Sequence, residues 1–248
     1  MSLPVFGALD IRATPPADAA DDADAELAWM ARAAATGRAG ATLWHGRRGL
    51  VAPRSYLRLP AWSAACAASA AAGWPVRLRT SGGGIVPQGP EVLNLSLAWC
   101  SGAARPSAAD AIYAALCERL AAALARLGVR AVPQPVEGAF CDGRYNLAAG
   151  GRKLVGTAQS WRRVGGRQMV LAHALVVVDA DPTVLTEAAN AFERDLGSGR
   201  EYRADALTSV AAAWRAAHRE APPPDLESRL TQALAETFAR MIEPHEAA

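Results

Sequence analysis

Hydrophobic positions recur along the chain in two periods. At helical spacing, Leu27, Met30, Ala31 and Ala34 follow Asp24, and Gly37 offers a stop. Ile112, Leu116, Leu120, Leu124 and Leu127 form a longer series. Ser107 is its expected N-cap, with Asp110 three residues later, and Gly128 closes it. Asp181-Pro182 opens another helix through Val184, Leu185, Ala188 and Phe192 to Gly197, with proline at the first position. Leu226, Leu230, Leu234 and Phe238 share one face of a last helix that starts near Asp225. The alanines of residues 62–72 favour one more helix, ended by Gly73. Strand character marks residues 41–45, 76–79, 92–99, 145–149, 152–160 and 169–179. The last of these holds three adjacent branched residues, Val176, Val177 and Val178. Turns are expected at residues 46–49, 87–90 and 150–151, and residues 14–24 read as a loop leading into the first helix. Strands and helices mix without a regular βαβ alternation. The pattern therefore predicts an α+β fold, a mixed and largely antiparallel sheet flanked by helices.

Composition narrows the class. With 248 residues, 51% apolar and 20% charged, the chain is expected to form a single domain over residues 1–248 with a substantial core. A net charge of +2 and arginines scattered along the chain give no basic stripe, so no nucleic-acid binding is expected. The uncharged run at residues 59–76 is weakly apolar and broken by Pro60 and Pro75, so no membrane span is expected. Residues 1–10 lack a basic segment followed by an apolar one. Cys66, Cys100, Cys117 and Cys141 form no C-x-x-C pair, so no metal site is expected and a reduced, cytoplasmic compartment is the simpler reading.

Two segments suggest chemistry. Gly82, Gly83 and Gly84 follow a strand, and three glycines in a row are costly in backbone entropy. Such a run suits either a tight turn or a cradle of N–H groups for a phosphate or carboxylate. It is neither a Walker A loop nor a dinucleotide fingerprint. Arg79 and Ser81 stand beside it, and arginine pairs with anions in a bidentate fashion. Lys153 stands out in a chain that otherwise uses arginine. After two glycines it reads as an exposed turn lysine or as a point charge placed for chemistry.

Residues 76–86, Val76-Arg77-Leu78-Arg79-Thr80-Ser81-Gly82-Gly83-Gly84-Ile85-Val86, resemble the R-R-x-G-G-G-x-V-x-H loop of lipoate-protein ligases. The resemblance implies that Arg79, Ser81, Gly82, Gly83 and Gly84 hold a lipoyl group and its adenylate. The family's histidine is Gln88 here, which hydrogen-bonds but carries no proton. Gly151-Arg152-Lys153-Leu154-Val155-Gly156-Thr157-Ala158-Gln159 is similar to the G-R-K-[IV]-x-G-[ST]-A-Q segment of lipoate ligases and octanoyltransferases. By that resemblance Lys153 polarises the acyl carbonyl, and a cation preorganised at a developing oxyanion is a large stabilising contribution. Thr157, Ala158 and Gln159 then line a narrow acyl tunnel, or are ordinary strand residues. Tyr145-Asn146-Leu147 stands where the ligases carry Asn-Asp-Leu, and Asn146 has no charge to hold a metal. The segment from Leu171 to Asp181 is similar to H-H-G-[ST]-L-L-L-x-A-D. His173 within it faces the site or is a satisfied structural residue. Residues 206–210 resemble the K-x-x-x-S-V segment before the family's last helix, and the matches together run from Glu26 to Met241.

The resemblance implies the fold of the biotin and lipoate ligases and the class II aminoacyl-tRNA synthetases. The G-R-G-R-x-G-R loop of the biotin ligases is not present. The first implied activity is that of a lipoate-protein ligase A-like enzyme. It would join lipoate or octanoate to ATP, with Mg2+, and pass the acyl group to a lysine of a lipoyl acceptor domain. That domain would belong to a 2-oxoacid dehydrogenase or be the glycine cleavage H protein. The alternative is an octanoyl or lipoyl transferase that needs neither ATP nor any cofactor. There Cys141, twelve residues before Lys153 in the polar stretch Phe140-Cys141-Asp142-Gly143, is the nucleophile rather than a small filler. A third reading is a non-catalytic binder of acyl groups or acyl domains. The accessory C-terminal domain of the longer ligases is expected to be absent. Cys66, Cys100 and Cys117 lie in Ala-rich or helical stretches and are expected in the core.

Overall fold

The structure, a computed structural model, describes residues 3, 10–12, 22–102 and 105–239. In chain order the first half holds β1 (Asp10–Arg12), α1 (Asp22–Thr36), β2 (Gly40–His45), β3 (Gly49–Pro53), a 3-10 turn (Arg54–Arg58), α2 (Trp62–Ala71), β4 (Val76–Arg79), β5 (Val86–Gln88) and β6 (Val92–Cys100). The second half holds α3 (Arg105–Ala125), β7 (Val132–Pro133), β8 (Leu147–Ala149), β9 (Arg152–Val164), β10 (Arg167–Val177), α4 (Pro182–Leu196), a 3-10 turn (Ala204–Ala206), α5 (Val210–His218) and α6 (Leu226–Ala239).

Seven strands form one sheet in the order β1-β2-β6-β10-β9-β8-β7, antiparallel except for β1 with β2. A second sheet of three strands runs β4-β3-β5, with β3 parallel to β4 and antiparallel to β5. The α+β, mostly antiparallel architecture expected from the pattern is the one observed.

Strand alternation decides what each face of the large sheet meets. Leu93, Leu95, Leu97 and Trp99 of β6, with Val170, Ala172, Ala174 and Val176 of β10, pack against Leu116 and Leu120 of α3 and Leu230, Leu234 and Phe238 of α6. On the opposite face Leu175 and Val177 join Leu50 and Ile85 near the small sheet and Phe192 of α4. On that same face Met169 and Leu171 meet Met30 of α1. The remaining positions on that second face are polar: Asn94 and Ser96 on β6, and His173 on β10 directly opposite Ser96. The fold therefore places a polar strip where the two sheets face each other.

The periodic helices match their sequence signals. Asp181 caps α4 by accepting from the Thr183 N–H at 2.8 Å, and Gly197 ends it with φ 69°. Helix α3 begins at Arg105, so Ser107 lies inside it rather than at its N-cap. Pro87 and Gln88, expected in a turn, belong to β5, and the strand expected at 145–149 is confined to Leu147–Ala149. The pattern missed β1, β3, β7 and α5. Gly49 and Pro53 make β3 read as a loop, yet all five of its residues are buried between two partner strands. Helix α5 is a nine-residue segment capped by Ser209; its apolar face, Val210, Ala211, Ala213 and Trp214, is present in the sequence but brief. Of the loop expected before α1, residues 14–21 lie outside the described residues, as does Met241.

Leu230 is fully buried between α6 and the large sheet. Leu230→Ala is expected to cost about 2–5 kcal/mol, measured as a lower urea midpoint with an unchanged slope.

Candidate active site

The two sheets and the turn at residues 140–143 enclose a cavity of about 380 Å³. Its wall includes Arg79, Ser81, Gly82, Gly83, Gln88, Cys141, Lys153, Thr157, Ala158, Gln159 and His173, residues drawn from opposite parts of the chain. Gly84 and Asn146 stand behind the wall, and each is bonded to Cys141. Apolar lining comes from Trp44, Val51, Val86, Phe140, Leu175, Val177 and Leu207.

The glycine loop is shaped from within. The Arg79 guanidinium is buried and donates to three carbonyls, Val51 O at 2.7 Å, Gly82 O at 3.0 Å and Gly84 O at 2.6 Å. Its charge therefore holds the loop against β3. The same Nη2 reaches the Cys141 sulfur at 3.6 Å. The Gly84 N–H donates to that sulfur at 3.0 Å. Gly83, at φ 110°, leaves room for it: a Cβ there would stand 2.5 Å from Cys141 Sγ. Cys141 itself adopts φ 52°, a left-handed backbone that non-glycine residues seldom take and that recurs at functional sites.

Lys153, the chain's single lysine, lies under the thiol turn and is 3% exposed. Its ammonium donates to Phe140 O at 2.6 Å and Cys141 O at 3.2 Å. Asn146 Nδ2 donates to Cys141 O as well, at 3.3 Å. The β8–β9 register slips by one here. Ala148 faces Lys153 while Leu147 faces Val155, and a bulge of this kind re-aims a side chain. Burial pushes the Lys153 pKa down from 10.5 to about 8, helped by the charge of Arg79 and opposed by Cys141 and Asp142.

A closed chain of hydrogen bonds forms the floor. Trp44 Nε1 donates to Ser96 Oγ at 3.1 Å, and Ser96 Oγ lies 3.0 Å from His173 Nδ1. His173 Nε2 lies 3.2 Å from Asn94 Oδ1, and Asn94 and Gln88 exchange two bonds of 3.0 Å. With Asn94 Oδ1 facing Nε2, a neutral imidazole donates from Nε2 and accepts from the Ser96 hydroxyl at Nδ1. Burial and the positive charge of Arg79 push the His173 pKa down to about 4, consistent with that neutral ring. His173 is thus both on the cavity wall and structurally satisfied. Thr157 and Gln159 line the rim with their polar groups turned away, Thr157 Oγ1 to Tyr145 O at 2.8 Å and Gln159 Nε2 to Ala109 O at 2.9 Å.

Two supports escaped the sequence reading. Glu26 of α1 is buried, and its carboxylate accepts from both the Thr80 N–H and the Thr80 hydroxyl just ahead of the glycine loop. Behind the loop, Glu193 of α4 is fully buried and accepts from Tyr56 at 2.9 Å and Tyr202 at 2.8 Å. Arg200 donates to the Tyr56 hydroxyl, and a Cβ on Gly84 would stand 3.1 Å from the Tyr202 oxygen. Burial and Glu193 push Tyr56 up to about 12 and raise Tyr202 too. One signal was available: Glu193 sits between Phe192 and Leu196 on the apolar face of α4.

A thiol held by backbone and guanidinium donors, over a buried ammonium at an apolar cavity, is the candidate site on a fold of the lipoate-ligase type. The chain belongs to the family described as lipoyl protein ligase A/B catalytic domain, which matches residues 62–235, and it is an enzyme of the lipoate ligase or octanoyltransferase type. It is 48% identical over 198 residues to an uncharacterized protein of Cupriavidus necator, covering 75% of this chain and 78% of that one. It is 38% identical over 148 residues to an octanoyl-[GcvH]:protein N-octanoyltransferase of Kyrpidia tusciae, covering 56% of this chain and 49% of that protein, about half its length. Among solved structures, a putative lipoate protein ligase of Thermoplasma acidophilum with bound lipoic acid superposes with a TM-score of 0.64 at 18% identity, covering 94% and 86% of the two chains. That likeness is one of fold.

No helix among the described residues is long and apolar enough to cross a membrane, and no cluster of three or more His, Cys, Asp or Glu among them is arranged for a metal ion. Of the other cysteines, Cys117 is buried, with its thiol pushed up to about 11 by burial, and Cys66 and Cys100 are half-buried.

Two outcomes test this geometry. Gly83→Ala is expected to displace the thiol and slow its alkylation by iodoacetamide about tenfold or more, because both φ and the Sγ contact oppose a Cβ. For His173 the folded pKa of about 4 lies below the ordinary 6.5, so between those values the unfolded chain binds a proton that the folded chain refuses. Stability should fall as pH drops through that window. His173→Gln should flatten the slope in urea titrations at pH 7, 5.5 and 4.5.

Proposed function

We propose that this enzyme is an ATP-independent acyltransferase that moves an octanoyl or lipoyl group from an acylated carrier protein to a lysine of a lipoyl acceptor domain, with Cys141 as nucleophile. The observation that carries the reading is the thiol itself, at the cavity wall with the Gly84 N–H at 3.0 Å and Arg79 Nη2 at 3.6 Å. The Kyrpidia relative, named as an octanoyl-[GcvH] transferase, supports the same chemistry.

Cys141 is the nucleophile, and its thiol proton, directed at Gly84 O at 3.5 Å, is the one the leaving amine receives. Sulfur bonds to the carbonyl carbon of the donor's acyl-lysine. The C–N bond then breaks and the departing amine takes the proton. In the second half the acceptor's lysine amine attacks the thioester, its C–N bond forms as C–S breaks, and its proton returns to sulfur. The negative oxygen formed in each half needs a fixed positive charge nearby, and Lys153 together with Arg79 supplies that field. The apolar walls take the acyl chain, and the polar floor of Gln88, Asn94 and His173 ends it.

The ligase reading asks more of these residues. A nucleotide-bound Mg2+ takes oxygen ligands. Of the two carboxylates on the cavity wall, Glu26 is committed to Thr80, and Asp142 accepts from the Val136 N–H at 2.8 Å. Asn146, at the family's acidic position, is neutral. The wall does not fit a magnesium nucleotide well, which favours the transferase.

The test offers the enzyme an acceptor domain with either octanoyl-GcvH alone or lipoate plus ATP and Mg2+, and weighs the acceptor. The expected result is acylation from octanoyl-GcvH without ATP, abolished by Cys141→Ser and lowered about 10²–10³-fold by Lys153→Ala. Acylation only with lipoate and ATP, indifferent to Cys141→Ser, would establish the ligase instead. The rate should also decline above about pH 8 as Lys153 loses its proton, and Lys153→Arg should move that decline to higher pH.

A further inference from the structure

The charges of this chain are segregated. Between Glu26 and Glu91 there are eight arginines and not one Asp or Glu, so all 24 acidic residues lie outside that segment. The segment folds into most of α1, β2, β3, the first 3-10 turn, α2, β4, the glycine loop and β5; the strands and the glycine loop line one side of the cavity.

Two of its solvent-facing arginines lie on the turn that leaves β3 beside the glycine loop. Pro53 of β3 stands opposite Arg79 of β4, and the two strands are parallel, so the turn Arg54–Arg58 leaves the sheet at the end where the glycine loop leaves it. Tyr56 anchors that turn, with its hydroxyl 3.7 Å from the place of a Cβ on Gly84, the residue whose N–H holds the sulfur. From the same turn Arg54, Leu57 and Arg58 are exposed, as are Gly82 and Gly83 at the cavity mouth. Leu57, at 46%, is the most exposed large apolar side chain among the described residues. Among the described residues neither Arg54 nor Arg58 has an ion-pair partner. At the other end of β3, Arg47 and Arg48 are exposed too, Arg48 stacked over Trp74 at 4.7 Å.

We propose that this arginine shelf, Arg54 and Arg58 flanking Leu57 beside the glycine loop, docks an acidic acyl-carrying protein domain and aims its acyl-lysine arm into the cavity. The proposal rests on the transferase reading, in which both donor and acceptor are proteins. A face of one sign steers an oppositely charged partner and fixes its orientation, with the effect seen mainly in association rate and salt dependence. Arginine and an exposed apolar side chain together are what protein interfaces favour at their centres. The chain's overall charge of +2 conceals this, because the acidic remainder cancels the shelf.

The experiment compares wild type with R54E/R58E. Both substitutions are on the surface, away from the thiol, lysine and cavity wall. One arm measures acyl-enzyme formation from a small octanoyl thioester, and the other from octanoyl-GcvH at 20 and 300 mM salt. The small donor should react equally with both proteins. With octanoyl-GcvH at low salt, the variant's kcat/KM should fall about tenfold or more, mostly through KM, while wild type loses most of its advantage at high salt. Equal kcat/KM for octanoyl-GcvH in the two proteins would overturn the shelf. So would a wild type that binds duplex DNA in the same salt range more tightly than the carrier. If the wild type forms no acyl-enzyme from the small thioester, the transferase reading fails first.

Discussion

An ammonium taken out of water must find partners, and Lys153 finds them in the carbonyls of Phe140 and Cys141. Much of the site follows from that contact. It ties β9 to the turn carrying the thiol, and with Asn146 it fixes the carbonyl of a residue held in a left-handed conformation. The β8–β9 bulge brings the side chain under the turn. Gly156 carries no side chain because a Cβ there would stand 3.2 Å from both Cε and Nζ of the lysine. A buried charge with only one hydrogen-bond partner would cost several kcal/mol, so these supports act together or not at all.

The second organising element is Arg79. An arginine next to a glycine run invites the thought of a bound anion, yet its donors go to the loop's own carbonyls and to Val51. The guanidinium turns a segment with little intrinsic shape into a rigid one, and the Gly84 N–H thereby acquires a fixed direction toward sulfur. Glu26 from α1 and the Glu193–tyrosine cluster from α4 brace the same loop from two sides. A flexible sequence is preorganised by buried charge, which is what an acyl-transfer site requires of its donors.

Much of this was legible in the chain. Helices α3, α4 and α6 and strands β6 and β10 announced themselves because each buries one face against a continuous core, so their periodicity survives in the sequence. That Asn94, Ser96 and His173 share one face follows only from the observed β6–β10 register. Elements that depend on distant partners were not legible: β3 reads as a loop until β4 and β5 flank it, and the apolar stripe of α5 is too brief to stand out. The same holds in the site. The glycine loop and lysine stood out by composition, whereas the tasks of Arg79, Glu26 and Glu193 depend on which carbonyls and hydroxyls the fold brings to them. Charge was misread for a related reason. Arginines that seem scattered along the whole chain are unopposed over one segment, and the strands and glycine loop of that segment line one side of the cavity.

The central claim is that the Cys141 sulfur carries the acyl group between two proteins. The most direct measurement is intact-protein and peptide mass spectrometry after brief mixing with octanoyl-GcvH in the absence of acceptor and ATP. The account predicts one octanoyl group per enzyme, located on the peptide containing Cys141, removed by hydroxylamine and discharged on adding acceptor domain. An unmodified Cys141 peptide in an enzyme that still acylates the acceptor would contradict it.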